Sequence, residues 1–224
     1  MTRRLVGWTG ELLITAGVVV LLFIAWQLWW TDITAERNQR QLVQALGDQF
    51  AGDGRGTVGG DAFPELDSEH AFAVLRVPRF GADFAQPVIE GVEASVLSLG
   101  VGHYEGTARP GAVGNFAVAG HRTTYGRPFH DIDTLVRGDR LIVETKPTIY
   151  VYEVTGHEIV RPWQTEVIAP VPDEPDTRAT RALITLTSCH PKYSATYRYI
   201  VHGRLVKTIP RAEWHLADWT TVKG

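Results

Sequence analysis

This chain of 224 residues predicts a mainly β fold behind one N-terminal membrane helix. Two observations carry the prediction. From residue 71 onward, short apolar and β-branched runs recur between turn residues, whereas residues 12–30 (LLITAGVVVLLFIAWQLWW) hold no formal charge. Short strands separated by turns specify a sandwich or closed barrel rather than a parallel α/β sheet. As a helix, the uncharged stretch spans roughly 28 Å, close to the hydrocarbon thickness of a bilayer.

Taken in order, residues 12–30 read as a transmembrane helix. The segment ends in Trp26, Trp29 and Trp30, which fits the aromatic belt of a membrane interface and not the small-residue cleavage site of a signal peptide. Arg3 and Arg4 precede it closely, while Asp32 and Glu36 open the far side ahead of Arg37 and Arg40. That bias puts residues 1–11 in the cytoplasm and everything after residue 30 outside the cell, as a single-pass protein of the plasma membrane. Residues 31–70 form a stalk and linker. Ile33, Leu42, Val43, Leu46 and Phe50 give a partial helical pattern, against which a disordered tether is the competing reading. Residues 51–69 hold Gly52, Gly54, Gly56, Gly59, Gly60 and Pro64, the composition of a flexible linker.

About 190 residues follow the span, enough for one sizeable core and too few for two typical domains. A formal net charge of −3 argues against a nucleic-acid partner. Strand-like runs fall at 71–77, 87–89, 114–120, 139–145, 149–154, 181–187 and 197–205. Residues 93–99 read as one or two helical turns before a Gly/Pro-rich loop to Gly114. Ile209 and Pro210 end the pattern, so the β domain covers 71–207. The tail, 208–224, carries Trp214 and Trp219, which either cap the barrel or touch the membrane surface.

The chemistry gathers at strand ends. Cys189 is the only cysteine and closes the run before Pro191 in TLTSCHP. A buried, inert thiol is the bland reading. Partners weigh against it, because a reactive cysteine needs an imidazole for its proton and a donor for the oxyanion. His121 ends the run GNFAVAG, and Arg198 lies nine positions after Cys189 at the start of the next strand. A single cysteine also suits an oxidising exterior, where a second thiol would trap the first as a disulfide.

The segments GVGHYEGTARPGAVGNFAVAGH, GHRTTYGRPFHDI and TLTSCHPKYSATYRYIV resemble sortases, membrane-anchored cysteine transpeptidases, and most closely the class E type of high-GC Gram-positive bacteria. The resemblance covers roughly residues 71–207. It departs at Ser188, where Thr usually precedes the cysteine, and at His190, where Asn is frequent. It implies a sortase-like eight-stranded β-barrel with short helices and a groove on the strands bearing Cys189 and Arg198. It implies that Cys189 attacks the Thr–Gly bond of a Leu-Ala-X-Thr-Gly sorting signal, that His121 serves as acid and base, and that Arg198 donates to the oxyanion or the peptide backbone. A peptidoglycan-precursor amine then takes the acyl group, which anchors surface proteins to the cell wall. Polymerisation of pilins is an alternative, although residues 51–69 carry no Asp-Pro-Trp-like plug. A catalytically silent peptide-binding ectodomain is another.

Thr187, Ser188 and Tyr125 are the candidate peptide-binding residues, and Tyr125 reads equally as packing under its turn. His190 makes a poor base, since a residue before proline is biased to extended backbone and successive side chains there point to opposite faces. His70, His103, His130, His157, His202 and His215 show no metal-ligand spacing such as HExxH. No cofactor or metal is expected. Asp173, Glu174 and Asp176 read as a solvated loop, because calcium asks for six or more oxygen ligands.

Overall fold

The computed structural model describes residues 2–52 and 71–214. Its strands are β1 (Ala71–Arg76), β2 (Gln86–Glu90), β3 (Val101–His103), β4 (Gly114–Ala119), β5 (Arg140–Thr145), β6 (Thr148–Val160), β7 (Ala182–His190) and β8 (Tyr197–Pro210). They close into a barrel in the order β1-β2-β3-β4-β7-β8-β6-β5. β2 runs parallel to β3 and β4 parallel to β7, and the other neighbours are antiparallel. One helical turn, Ala94–Leu97, falls within the expected 93–99.

Four elements differ from expectation, β7 among them by running past Thr187 to His190. β3 has only Val-Gly-His, too short to show alternation, and is recruited by its neighbours. β6 runs past Val154 to Val160, through a register shift between Val154 and Gly156 that keeps it paired with β8. β8 runs past Lys207 to Pro210, which lies opposite Thr148; a strand end is where a missing N–H costs least.

The core sits inside the barrel. Phe116 and Val118 of β4, Ile184 and Leu186 of β7, and Tyr199 and Val201 of β8 all belong to it. Strand alternation then turns Thr185, Thr187 and Cys189 outward. This outer face is covered in part. The 3-10 turn Thr165–Ile168 brings Val167 onto Val160 and Ile200, which is why the middle of β7 is buried on both faces.

The N-terminal helix, α1 (Thr2–Ala51), is continuous. Leu42, Leu46 and Phe50 pack on Ala71, Val74, Ile89 and Leu99, on the outside of β1 and β2. Nearer its start, Leu12, Leu13, Ile14, Leu21, Leu22 and Phe23 are exposed. Among the described residues no helix is long and apolar enough to cross a membrane, so the span expected over 12–30 is not met by them. Of the linker expected over 51–69, Ala51 closes α1 and residues 53–69 lie outside the described residues, as does Trp219.

After β8 the turn Arg211–Glu213 delivers Trp214 onto Ile142, Ile149 and Val151. The ring covers the outer face of β5 and β6. Trp214→Ala should therefore lower stability by about 3 kcal/mol, read from the midpoint of urea unfolding at unchanged slope.

Candidate active site

Strand register decides what meets here. Cys189 lies directly opposite Arg198 across β7 and β8, so the two side chains share the outer face with Cβ atoms about 5 Å apart. On the other flank of β7, Ala119 of β4 lies beside Thr187 in parallel register. Carried two residues past that last pair, the same register directs His121 toward the level of Cys189.

The end of β4 is clamped to β7. The Gly120 N–H donates to the Thr187 carbonyl at 3.1 Å, and the Ser188 hydroxyl donates to the Gly120 carbonyl at 2.8 Å. A Cβ at Gly120 would lie 2.7 Å from the Phe129 ring, so the close approach requires glycine. Ser188, expected among the peptide-binding residues, is instead buried on the inward side and tied to β4. Thr187 is on the outer face, its hydroxyl 3.0 Å from that of Tyr104. Tyr125 is exposed, with its ring 5.2 Å from that of His121. His190 turns away from Cys189, and its ring lies 5.6 Å from that of the core residue Tyr199.

Arg122 makes the tightest knot. Its guanidinium donates to the His130 carbonyl at 2.9 Å and to the Cys189 carbonyl at 3.3 Å, and pairs with Asp133 at 2.7 Å. His130 Nδ1–H donates back to the Arg122 carbonyl at 3.0 Å. The nucleophile strand and the loop beyond His121 are thus held by one buried cation.

Arg198 is half-buried, and its Nη1 donates to the Ala195 and Tyr197 carbonyls, both at 3.0 Å. Among the described residues no acceptor takes its Nη2 or Nε, which leaves both to donate elsewhere. The His121 ring is half-buried, and its Nε2 is shut from solvent with no hydrogen-bond partner among the described residues. Burial lowers its pKa from the ordinary 6.5, because the charged form loses hydration. An imidazole beside a thiol, with a guanidinium across the strand, suits nucleophilic acyl transfer.

A sortase domain matches residues 75–206. The chain belongs to the sortase family. It is 38% identical to sortase SrtE1 of Streptomyces coelicolor over 91% of its length and spans 58% of that relative. It is 36% identical to SrtE2 of the same organism over 89% of its length and spans 81% of that one. Among solved structures it is similar to sortase E from Streptomyces avermitilis, with TM-score 0.59 and 42% identity, covering 65% of this chain and 95% of that one. It is also similar to sortase E1 from Streptomyces coelicolor with a tripeptide in its active site, with TM-score 0.60 and 35% identity, covering 65% and 94% of the two chains. These likenesses make it a class E sortase.

Sequence reading passed over Arg122 and Tyr104. An arginine directly after a candidate catalytic histidine reads as solvated until its three acceptors are placed around it. One carboxylate cluster also assembles away from the cysteine. Potential ligand atoms of Glu158, Asp173 and His202 lie within 4.8 Å of one another, whereas Glu174 and Asp176 stay outside the group. Burial and the Glu158 charge raise the Asp173 carboxyl. Both His202 nitrogens are already engaged, Nε2 with Glu158 at 2.9 Å and Nδ1 with Thr185 at 3.0 Å. The cluster is a hydrogen-bond junction beside the Thr165–Ile168 turn, to which the Asp173 N–H is bonded at Glu166.

Arg122→Met should strip the donors from two carbonyls and from Asp133. Because Asp133 is 40% exposed, the loss is set below that of a fully buried pair, at about 2–3 kcal/mol. Chemical unfolding of the variant measures it.

Proposed function

We propose that this sortase is a cysteine transpeptidase that cleaves a Leu-Ala-X-Thr-Gly-like sorting signal between Thr and Gly and joins the Thr carbonyl to a cell-wall amine. The observation that supports it is the register of β7, which sets Cys189 opposite Arg198 on one flank and follows the β4 strand that leads into His121 on the other. Cys189 Sγ attacks the Thr carbonyl as His121 takes the thiol proton. Arg198 donates to the oxyanion, and the intermediate collapses as His121 returns the proton to the leaving glycine amine. A thioester remains. The acceptor amine then gives a proton to His121 and attacks, and the thiolate leaves and is reprotonated. Thr187 and Tyr125 border the path of the peptide.

The same reading places the chain in the plasma membrane, N-terminus in the cytoplasm and barrel outside. Its support is the set of exposed apolar side chains on α1, among them Leu12, Leu13, Leu21, Leu22 and Phe23, with Arg3 and Arg4 before them. Apolar faces of that size are not left in water.

Incubating the protein with sorting peptides and amines, with mass detection of the amide, tests the reaction. Cys189→Ala should abolish cleavage and amide formation; retained turnover would sink the assignment. His121→Ala and Arg198→Ala should each lose at least about a hundredfold in rate. The acid limb of kcat/KM should fall below 6.5, because burial keeps His121 neutral further into acid and activity is lost only as the ring gains its proton.

Substrate choice gives a separate test. Alanine at the second signal position offers an N–H that proline lacks. An acceptor that the bound peptide covers and leaves without its donor costs about 1–3 kcal/mol, which is about tenfold or more in kcat/KM. The Tyr125 hydroxyl is the candidate acceptor, directly or through water. The alanine peptide should therefore be preferred over the proline peptide, and less so in Tyr125→Phe. Equal turnover of the two peptides by the unaltered protein rejects the specificity and leaves the chemistry standing.

A further inference from the structure

The stalk half of α1 reaches the candidate active site. Its buried positions are Ala35, Gln39, Leu42, Leu46 and Phe50, which recur at the spacing of one helix face. Four are apolar. The fifth, Gln39, is only 2% exposed, and an amide is buried at a cost unless it is hydrogen-bonded. Its Nε2 donates to the Tyr125 carbonyl at 2.9 Å.

The next residue fits as closely. A Cβ on Gly126 would lie 2.4 Å from Gln39 Oε1, and Gly126 has φ +73°. Tyr125 has φ 52°, a left-handed conformation that a tyrosine keeps only where its surroundings hold it. Its ring packs on His121 at 5.2 Å. The near end of the His121 loop is fixed by β7 and Arg122. Its far end meets α1, a segment 86 residues earlier in the chain.

We propose that Gln39 is a positioning residue for His121: through it, docking of α1 fixes the turn at Tyr125 and Gly126, and with that turn the ring that covers the imidazole. The inference rests on the reading of His121 as acid and base. It assigns the helix on the N-terminal side of the barrel a part in the chemistry as well as in attachment. Loss of that one hydrogen bond then lowers activity through His121, with α1 still docked on β1 and β2.

The test uses the full chain in detergent micelles. Gln39→Met keeps length and helix propensity and loses the donor, and Gln39→Leu serves as a second variant of the same kind. Leu46→Ala is the control, since it removes apolar packing from the same helix face remote from the loop and leaves the Gln39 hydrogen bond in place. Both Gln39 variants should lose about three- to tenfold in kcat, the worth of one hydrogen bond. Their KM should move less than their kcat, since Tyr125 is the one groove residue on that turn and Thr187 stays in place. In a Cys189→Ala background, NMR titration of the His121 ring should show its midpoint moving up toward 6.5 as the ring gains water. Leu46→Ala should lower the thermal midpoint and keep kcat within about twofold. The inference is overturned by Gln39 variants with unaltered kcat and an unmoved His121 midpoint, or by Leu46→Ala lowering kcat as much as they do. An inert wild-type chain counts against the transpeptidase reading alone. The His121 titration still decides in that case, because it needs no turnover, and an unmoved midpoint overturns the inference.

Discussion

Everything at the candidate site depends on the register of β7 against its two neighbours. Side chains alternate along a strand, so a slip of one residue would turn Cys189 into the core and Ser188 out of it. The slip is opposed from inside and outside. Ile184 and Leu186 fill the core from the inner face, while Ser188, Thr187 and the Cys189 carbonyl are each bonded to the chain around His121. Apolar burial sets which face is which, and a few polar bonds set the level along the strand.

The site's two arginines divide the work of a cation. Arg122, with 1% side-chain exposure, has lost its hydration, a loss of several kcal/mol for an isolated ion. One carboxylate and two carbonyls offset it, with the Tyr199 ring 5.7 Å away. Its contacts are saturated by its own chain, so it shapes the site without offering anything to a ligand. Arg198 stands half-buried at the mouth, held through one nitrogen with the others available. A single residue could not do both, because a donor fully committed to the fold has none left for an oxyanion.

The strands were legible where alternation or a β-branched run exceeded the bare minimum, and so was the placing of Cys189, His121 and Arg198 at their ends. Closure into an eight-stranded barrel was legible only through the resemblance, and the parallel neighbours were not, because pairing order is a property of distant segments that periodicity does not carry. Ser188 is instructive. The alternation that turns His190 away from Cys189 turns Ser188 away as well, since both are its immediate neighbours, and applying that rule on both sides would have removed Ser188 from the groove. Arg122 and Gln39 were beyond reach for another reason: a charged or amide side chain reads as solvated until the partners that bury it are in place. The apolar positions of the stalk were visible, but a helical stripe does not say which surface it covers.

The bond that levels β4 with β7, from Ser188 to Gly120, joins residues 68 apart in the chain. Loop closure on that scale must precede the contacts that reward it, and such non-local pairings form late in folding. Until β4 and β7 meet, Cys189 has Arg198 across the β7–β8 hairpin but no imidazole beside it, and is an ordinary thiol. Reactivity and topology therefore arrive in one step. A chain with its strands formed but the barrel still open carries every residue of the site and none of its chemistry.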